Sequence, residues 1–396
     1  MQPEINLTEI KKSKDFIVAC VIYFCILIAV AVMRILITVG VFNSLNDGAL
    51  EALFSIVVQV IAMSGFCFVG WFIYLKRKNR AKNAASLDFA PPKDGEIFRE
   101  TTRAFGFRKI DSKTVAFAFL LGFLMFLFNI LFANFFRNIL DAFGYRFPSG
   151  DDVFVGWSGF LITMILTAIL PALGEETAHR GMLLNSFAGR LGVRRAVVLV
   201  ALLFGLMHMN IVQFFYATML GYIMGLTVAA TKSIWTGIIL HFMNNGLSTY
   251  FAFAEDLGLP FENLVGNLFG TLFTNYIGIL IGIALLVWGM FAIIRKFARA
   301  SFEKEKDYKL AKLIAYDPVG IEILNRQAGR VLTIEELKRV ALAIPEKAGL
   351  FGAIRFYLDD FERPKKLLAT EKALVWAIIS FSALITIFTF VWGAIL

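Results

Sequence analysis

The chain of 396 residues is 58% hydrophobic, contains 42 Phe and is only 17% charged. A soluble domain is about one half apolar and about one quarter charged, so this composition excludes an ordinary soluble protein and predicts burial in lipid. The net charge of +9, from 39 Lys and Arg against 30 Asp and Glu, is expected to set topology and contact lipid headgroups rather than bind nucleic acid.

Apolar runs long enough, or nearly long enough, to cross a bilayer recur along the whole chain, since a spanning helix needs about 20 apolar residues. They lie at 16–42, 52–75, 114–136, 157–187, 195–212, 213–231, 234–253, 268–294 and 373–396. The first run has no small-residue cleavage site, which indicates a retained span rather than a signal peptide. The sequence therefore predicts an all-α polytopic transmembrane helix bundle of about nine spans.

Positive charge alternates between the connections of these runs. The 76–113 segment and the 188–195 turn are rich in Lys and Arg, whereas 43–51 and 254–267 contain neither. Because cytoplasmic loops carry the excess of Lys and Arg, this alternation predicts a cytoplasmic N-terminus and a C-terminus on the opposite side.

Two segments differ in composition from the apolar runs. Residues 76–113 predict a basic cytoplasmic loop in which Pro91-Pro92 interrupts any continuous helix. Residues 300–370 have mixed charge and predict a small helical cytoplasmic segment, within which Thr333 and Glu336 have the spacing of a capping box. The predicted organisation is an N-terminal pair of transmembrane helices (1–75), the basic loop (76–113), a membrane core (114–253), a further transmembrane helix with flanks (254–299), the cytoplasmic segment (300–370) and a C-terminal transmembrane helix (371–396).

Ionisable residues cluster inside the membrane core. All three histidines lie between residues 157 and 253, as do two adjacent glutamates and an arginine: His179, His208, His241, Glu175, Glu176 and Arg180. Charged and ionisable side chains are costly at membrane depth, so each is a functional hypothesis by default.

Helical spacing predicts that these side chains meet. If the fourth and fifth runs form a hairpin that turns near Leu191-Gly192, Glu175 and His208 are almost equidistant from the turn. At the rise of an α-helix, both lie roughly 20–25 Å above it, at the same depth and facing each other. His241 lies about 10 Å above Lys232 and converges with them if its helix begins deeper in the bilayer.

The local pairings suggest separate roles for the two carboxylates. Glu176 and Arg180 are i,i+4 neighbours that can neutralise each other. Glu175 is then left to take a proton from water near neutral pH, with His208 placed to orient or deprotonate that water.

Two donors share one face of the seventh run. His241 and Asn245 are also i,i+4 neighbours, and together they can stabilise the oxyanion that forms when water attacks an amide carbonyl. Taken singly, these residues also have structural interpretations, because polar side chains join helices by hydrogen bonds and Phe204 is typical of a packed core.

Three short motifs in the predicted membrane core resemble those of a known family. They are Glu175-Glu176-x-x-x-Arg180, Phe204-x-x-x-His208 and His241-x-x-x-Asn245. In order and spacing they resemble the motifs of the CPBP family, the CAAX proteases and bacteriocin-processing enzymes, which include the type II CAAX prenyl endopeptidases. The resemblance covers roughly 115–253.

This resemblance implies an all-helical intramembrane endopeptidase without a cofactor. Glu175 and His208 would activate water, His241 and Asn245 would hold the oxyanion, and Glu176, Arg180 and Phe204 would support them. The implied partners are a peptide or protein substrate, with or without a lipid anchor, and membrane lipid, and the implied location is the plasma membrane of a prokaryote. His179 departs from the family, in which this position is usually apolar or aromatic; we expect it to pair with Glu175 or to have a supporting or lipid-facing role.

Two alternatives remain open. Glu175, His208 and His241 are also a set that could hold a catalytic zinc, although the sequence has no HExxH helix. A non-enzymatic role, in bacteriocin immunity or transport, belongs to a different class of function, although the chain lacks the repeated broken helices of many transporters.

Overall fold

The computed structural model describes residues 7–38, 47–83, 93–145, 154–261, 263, 276–359, 361 and 366–395. Within these ranges all regular secondary structure is helical, and no strand occurs. The N-terminal helices are α1 (Leu7–Thr38), α2 (Asp47–Ser55), π1 (Ile56–Phe66), α3 (Cys67–Asn83), α4 (Asp94–Ala104) and α5 (Ser112–Ala142).

The helices of the central membrane core follow α5. They are α6 (Gly156–Thr163), π2 (Met164–Ile169), α7 (Leu170–Glu176), π3 (Thr177–Leu184), α8 (Asn185–Leu191), α9 (Val193–Met207), α10 (Ile211–Thr231) and α11 (Ile234–Phe253). The C-terminal helices are α12 (Tyr276–Lys304), α13 (Lys306–Tyr316), α14 (Pro318–Ala328), α15 (Ile334–Lys347), α16 (Gly349–Leu358) and α17 (Ala369–Ile395).

Seven helical stretches in the described ranges are long and apolar enough to cross a membrane. They are Lys12–Met33, Asp47–Asn79, Ser112–Ala142, Gly156–Leu191, Ile211–Thr231, Ile277–Lys304 and Ala369–Phe388. The two remaining predicted spans are present as α9, which has only 15 residues, and α11, which carries His241 and two asparagines. The all-α polytopic bundle is confirmed, and nine spans remain a prediction.

The predicted hairpin turn is confirmed. Helix α8 ends at Leu191, and α9 begins at Val193. The single residue between them, Gly192, has φ 79°, a left-handed conformation that glycine adopts without the steric penalty of a side chain. The sharp reversal lays α9 back along π3 and α8.

The core helices pack around the polar cluster. Helix α11 packs against α5, π2 and α7, and α10 packs against α9 and α12. The N-terminal helices close the other side, where π1 packs against α7 and α1 packs against α8 and π3. The first two N-terminal spans are therefore part of the wall around the core.

A buried ion pair fixes the C-terminal span to the core. Arg190 Nε donates to Glu371 Oε1 across 2.9 Å, and the side chains are 6% and 0% exposed. Glu371 also accepts the backbone N–H of Leu368 at 2.7 Å. These contacts join the end of α8 to the first turn of α17.

The two segments of different composition both contain helices. Of the predicted basic loop, α3 extends to Asn83 and α4 occupies Asp94–Ala104, whereas Pro91-Pro92 lies outside the described residues. The predicted cytoplasmic segment contains α13 to α16. Its capping box is confirmed, because Thr333 Oγ1 accepts Glu336 N at 3.3 Å and Glu336 Oε2 accepts Thr333 N at 2.9 Å.

Candidate active site

The two adjacent carboxylates end α7, between the π-helices π2 and π3. Glu175 is 6% exposed and Glu176 is fully buried. π-helical turns inside α-helices occur frequently at functional sites because they rotate the following side chains out of α-helical register. Here the π3 segment begins directly after Glu176.

One oxygen of the Glu176 carboxylate, Oε1, forms a buried ion pair. This oxygen lies 2.6 Å from Arg180 Nη1, and both side chains are completely buried, which confirms the i,i+4 pairing. Arg180 Nη2 also donates to the Gly221 carbonyl oxygen at 3.0 Å. A Cβ on Gly237 would fall 2.5 Å from Glu176 Oε2, so glycine at this position allows α11 to approach the carboxylate.

His241 lies between the two carboxylates, so the predicted convergence of α11 with α7 is confirmed. Its Nδ1 is 3.0 Å from Glu176 Oε1, and its Nε2 is 3.9 Å from Glu175 Oε2. Glu176 Oε1 already accepts from Arg180 Nη1, so it also acts as the acceptor toward His241, and Nδ1 donates. Nε2 is consequently the nitrogen that faces Glu175.

The ring of Phe204 forms the centre of the cluster. Ring-centroid distances from Phe204 are 5.0 Å to His179, 5.2 Å to His208 and 5.8 Å to His241, all with edge-to-face geometry. The Arg180 guanidinium carbon lies 4.4 Å from the Phe204 centroid, within the range of a cation–π contact. One aromatic side chain thus brings three imidazoles and a cation together.

His208 ends α9, and its Nδ1 lies 2.8 Å from the Phe204 carbonyl oxygen. A carbonyl oxygen can only accept, so Nδ1 carries the proton and, in the neutral ring, Nε2 carries the lone pair. In that neutral ring, Nε2 is therefore the hydrogen-bond acceptor of His208.

His179 does not face lipid, and that expectation is wrong. The side chain is fully buried, with Nδ1 2.8 Å from the Glu175 main-chain oxygen and Nε2 2.9 Å from Tyr23 Oη. Its bond to Glu175 therefore involves the backbone and not the carboxylate. The reason is that the neighbouring helix α1 covers this face of π3 and supplies a phenol.

Asn245 is tied to π2 rather than to the carboxylates. Its Nδ2 donates to the Thr167 carbonyl oxygen at 2.8 Å, and its Oδ1 accepts from Asn244 Nδ2 at 2.9 Å. In α-helical register the Thr167 carbonyl would accept the N–H of residue 171, but Pro171 has none. An amide nitrogen carries two hydrogens, so Asn245 keeps one for another acceptor.

The motifs did not reveal two contacts from the N-terminal spans. Gln59 Nε2 on π1 donates to Glu175 Oε1 at 2.8 Å, and Tyr23 on α1 bonds His179. The sequence could have pointed to Gln59, since it is a lone amide in the apolar run 52–75. Polar residues inside a span are functional hypotheses. Nothing in the sequence singled out Tyr23, because phenols are common in spans.

Several buried polar atoms of the cluster have no hydrogen-bond partner within the described ranges. They are Glu175 Oε2, Glu176 Oε2, Gln59 Oε1 and Arg180 Nε. Leaving such atoms unpaired costs free energy, so they indicate a place for polar ligands such as water. In the same part of the chain, no three His, Cys, Asp or Glu side chains are grouped to hold a metal ion, and zinc held by Glu175, His208 and His241 stays an alternative.

Comparison with known proteins gives one match. Residues 157–247 match the family model described as type II CAAX prenyl endopeptidase Rce1-like, which confirms the resemblance over a segment narrower than the motifs indicated. At family level this supports a CAAX-type intramembrane protease acting on a peptide or protein, and with the apolar helices it supports an integral membrane protein. No curated protein and no solved structure matches the chain.

Proposed function

We propose that the protein is an intramembrane endopeptidase that hydrolyses a peptide bond near the C-terminus, or in the leader, of a membrane-associated substrate. The observation that carries this proposal is the asymmetry of the two carboxylates. Glu176 Oε1 is held by Arg180 and His241, whereas Glu175 Oε2 is buried without a hydrogen-bond partner among the described residues, 3.9 Å from His241 Nε2. Glu176 supports the site, and Glu175 is the base.

The first step is general-base attack. Water donates one proton to Glu175 Oε2 while its oxygen attacks the substrate carbonyl carbon, and His208 Nε2 orients the water as acceptor. Burial of the site favours this step, because attraction between charged and polar groups is stronger away from bulk water.

The second step is collapse of the tetrahedral intermediate. His241 donates to the oxyanion from Nε2 in its imidazolium form while Nδ1 donates to Glu176, and Asn245 donates the second hydrogen of Nδ2. The C–N bond then breaks, and Glu175 returns its proton to the leaving amine. The products are one carboxylic acid and one amine.

Loop charge supports a cytoplasmic N-terminus, and the apolar walls support a substrate that arrives from the lipid phase. A prenylated C-terminal Cys-aliphatic-aliphatic-X tetrapeptide is the first substrate class to test, because it is anchored at the membrane by its lipid. A leader peptide or the tail of a membrane protein presents the same amide to the same groups.

The test compares peptides from membranes that contain the wild-type protein with peptides from membranes that contain Glu175→Gln at equal abundance. We expect a set of cleaved termini that is present with the wild type and absent with the variant. Identical peptide profiles would contradict the proposal and favour a non-enzymatic role.

A further inference from the structure

The N-terminal spans lie outside the matched segment 157–247, yet one of them reaches the proposed base. Gln59 lies in the middle of π1, and its Nε2 is 2.8 Å from Glu175 Oε1. We propose that Gln59 is a positioning residue, which fixes the Glu175 carboxylate so that Oε2 receives the proton of the attacking water. This inference rests on the proposed function.

The donor and acceptor properties of the amide decide which carboxylate oxygen reacts. An amide nitrogen only donates, so Glu175 Oε1 must accept. The opposite orientation of the amide would set its oxygen against an ionised carboxylate, which is repulsive. With Oε1 occupied, Oε2 is the oxygen that remains for water, and it is the one that faces His241 Nε2 at 3.9 Å.

The backbone around Gln59 is built for this approach. A Cβ on Gly174 would fall 2.5 Å from the Gln59 carbonyl oxygen and 2.9 Å from Gln59 Oε1, so only glycine lets π1 come this close to α7. On the other side, Ser64 Oγ donates to the Gln59 carbonyl oxygen at 3.0 Å. This hydroxyl ties the Gln59 backbone to the next turn of π1.

The second polar atom of Gln59 points to a further task. Gln59 Oε1 is buried and has no hydrogen-bond partner in the described part of the chain, as is also true of Glu175 Oε2. The attacking water uses its two hydrogens on Glu175 Oε2 and His208 Nε2, so Gln59 Oε1 is left to accept from a second water molecule. That water would satisfy the amide oxygen and help to hold Gln59 in place beside the base.

The experiment uses the full chain and two variants of similar size whose side chains have no hydrogen-bond donor, Gln59→Met and Gln59→Leu. Val60→Ala is the matched control, because Val60 is the next residue and is 44% exposed. Glu175→Gln defines the product peptides that depend on the proposed base, and a synthetic peptide with one of those cleavage sites then gives kcat and KM.

We expect both Gln59 variants to lower kcat by roughly tenfold or more, as the loss of a hydrogen bond to a charged group does, with KM within twofold. Val60→Ala should keep the wild-type kcat, and thermal unfolding identifies any variant that is simply misfolded. If Gln59→Met were to unfold, the branched variant Gln59→Leu would still decide.

The outcomes separate the two proposals. Wild-type kcat in a folded Gln59 variant, with Glu175→Gln inactive, would overturn the positioning role and leave the endopeptidase intact. A raised KM with unchanged kcat would also overturn it, because Gln59 would then bind substrate rather than orient the base. An absence of any peptide that depends on Glu175 would remove the proposed function itself.

Discussion

His241 donates from Nδ1 to Glu176 Oε1 across 3.0 Å. Glu176 is in turn the partner of Arg180, so a buried ion pair orients the imidazole and turns its Nε2 toward Glu175. The carboxylate that is proposed not to react therefore controls the geometry of the groups that do.

Glu176→Gln is expected to destabilise the protein. The amide removes the negative charge and leaves the fully buried Arg180 without its counter-ion, and breaking a buried ion pair costs about 3–5 kcal/mol. Thermal unfolding in detergent should show a lower midpoint, whereas Glu255→Gln, which changes an exposed carboxylate in the same way, should not. Equal midpoints for both variants would show that Arg180 is neutralised by another group.

Tyr23→Phe is expected to weaken the contact between α1 and the core. The hydroxyl oxygen lies 2.9 Å from His179 Nε2 and 3.1 Å from the Leu203 carbonyl oxygen. Its removal leaves a buried imidazole nitrogen unpaired, at a cost of about 1–3 kcal/mol. The measurement is the midpoint of thermal unfolding. The control is Tyr308→Phe, because Tyr308 is 67% exposed. A shift of the midpoint no larger than that of the control would contradict the prediction.

Asn245→Ala is expected to lower kcat by about 10²–10³-fold, the usual effect of removing one oxyanion donor. Asn244→Ala should have a smaller effect, because Asn244 bonds Asn245 Oδ1 and Asn129 Nδ2 and is not proposed to donate to the oxyanion. Steady-state kinetics on the identified peptide distinguish the two. If both variants keep the wild-type kcat and lose stability to the same extent, Asn245 has only a structural role through its bond to Thr167.

Removal of metal is expected to leave activity unchanged. The groups proposed to act here are a carboxylate, two imidazoles and an amide, each with its own proton to give or accept. Chelator-treated protein, checked for residual zinc by elemental analysis, should keep the wild-type kcat. Loss of activity that returns with added zinc would favour the metalloprotease alternative, built on Glu175, His208 and His241.

Acid is expected to loosen the start of α15, in the segment that the sequence predicts to lie outside the membrane. Hydrogen bonds from Arg330 and from Thr333 lower the pKa of Glu336 to about 2. Because a depressed pKa adds stability above the unfolded value of about 4.3, this contribution is lost as the pH falls from there toward about 2.

Hydrogen exchange of the α15 amides, corrected for intrinsic rates, measures this effect. Glu336→Gln is the control, since it cannot titrate and should show a flatter pH dependence in the same window. A wild-type profile as flat as that of the variant would contradict the expectation.

Much of this arrangement could be predicted because lipid imposes strict local rules. Backbone groups in a bilayer must bond within their own helix, so apolar runs mark the helices and Gly192 marks the turn. The pairing of Glu176 with Arg180 and the capping box at Thr333 depend on residues only three or four positions apart, and both are confirmed.

Contacts between distant spans could not be predicted in the same way. Gln59 and Tyr23 meet π3 and α7 from helices more than a hundred residues away, and which face they present depends on helix rotation and lateral packing. The π-helical turns also shift the register, so His179 bonds a backbone oxygen and not the carboxylate that its spacing suggested. Asn245 shares the α11 helix with His241 but is held by Thr167.

The missing N–H of Pro171 affects the hydrogen bond that the Asn245 amide makes. Since Pro171 has no N–H, the Thr167 carbonyl lacks its α-helical donor, and an amide from another helix takes its place at 2.8 Å. An alanine at this position would offer the same carbonyl oxygen an N–H one turn away, and Asn245 would then share its acceptor. Pro171 thus removes one backbone hydrogen bond from its own helix and leaves a carbonyl oxygen that accepts from a side chain of another helix.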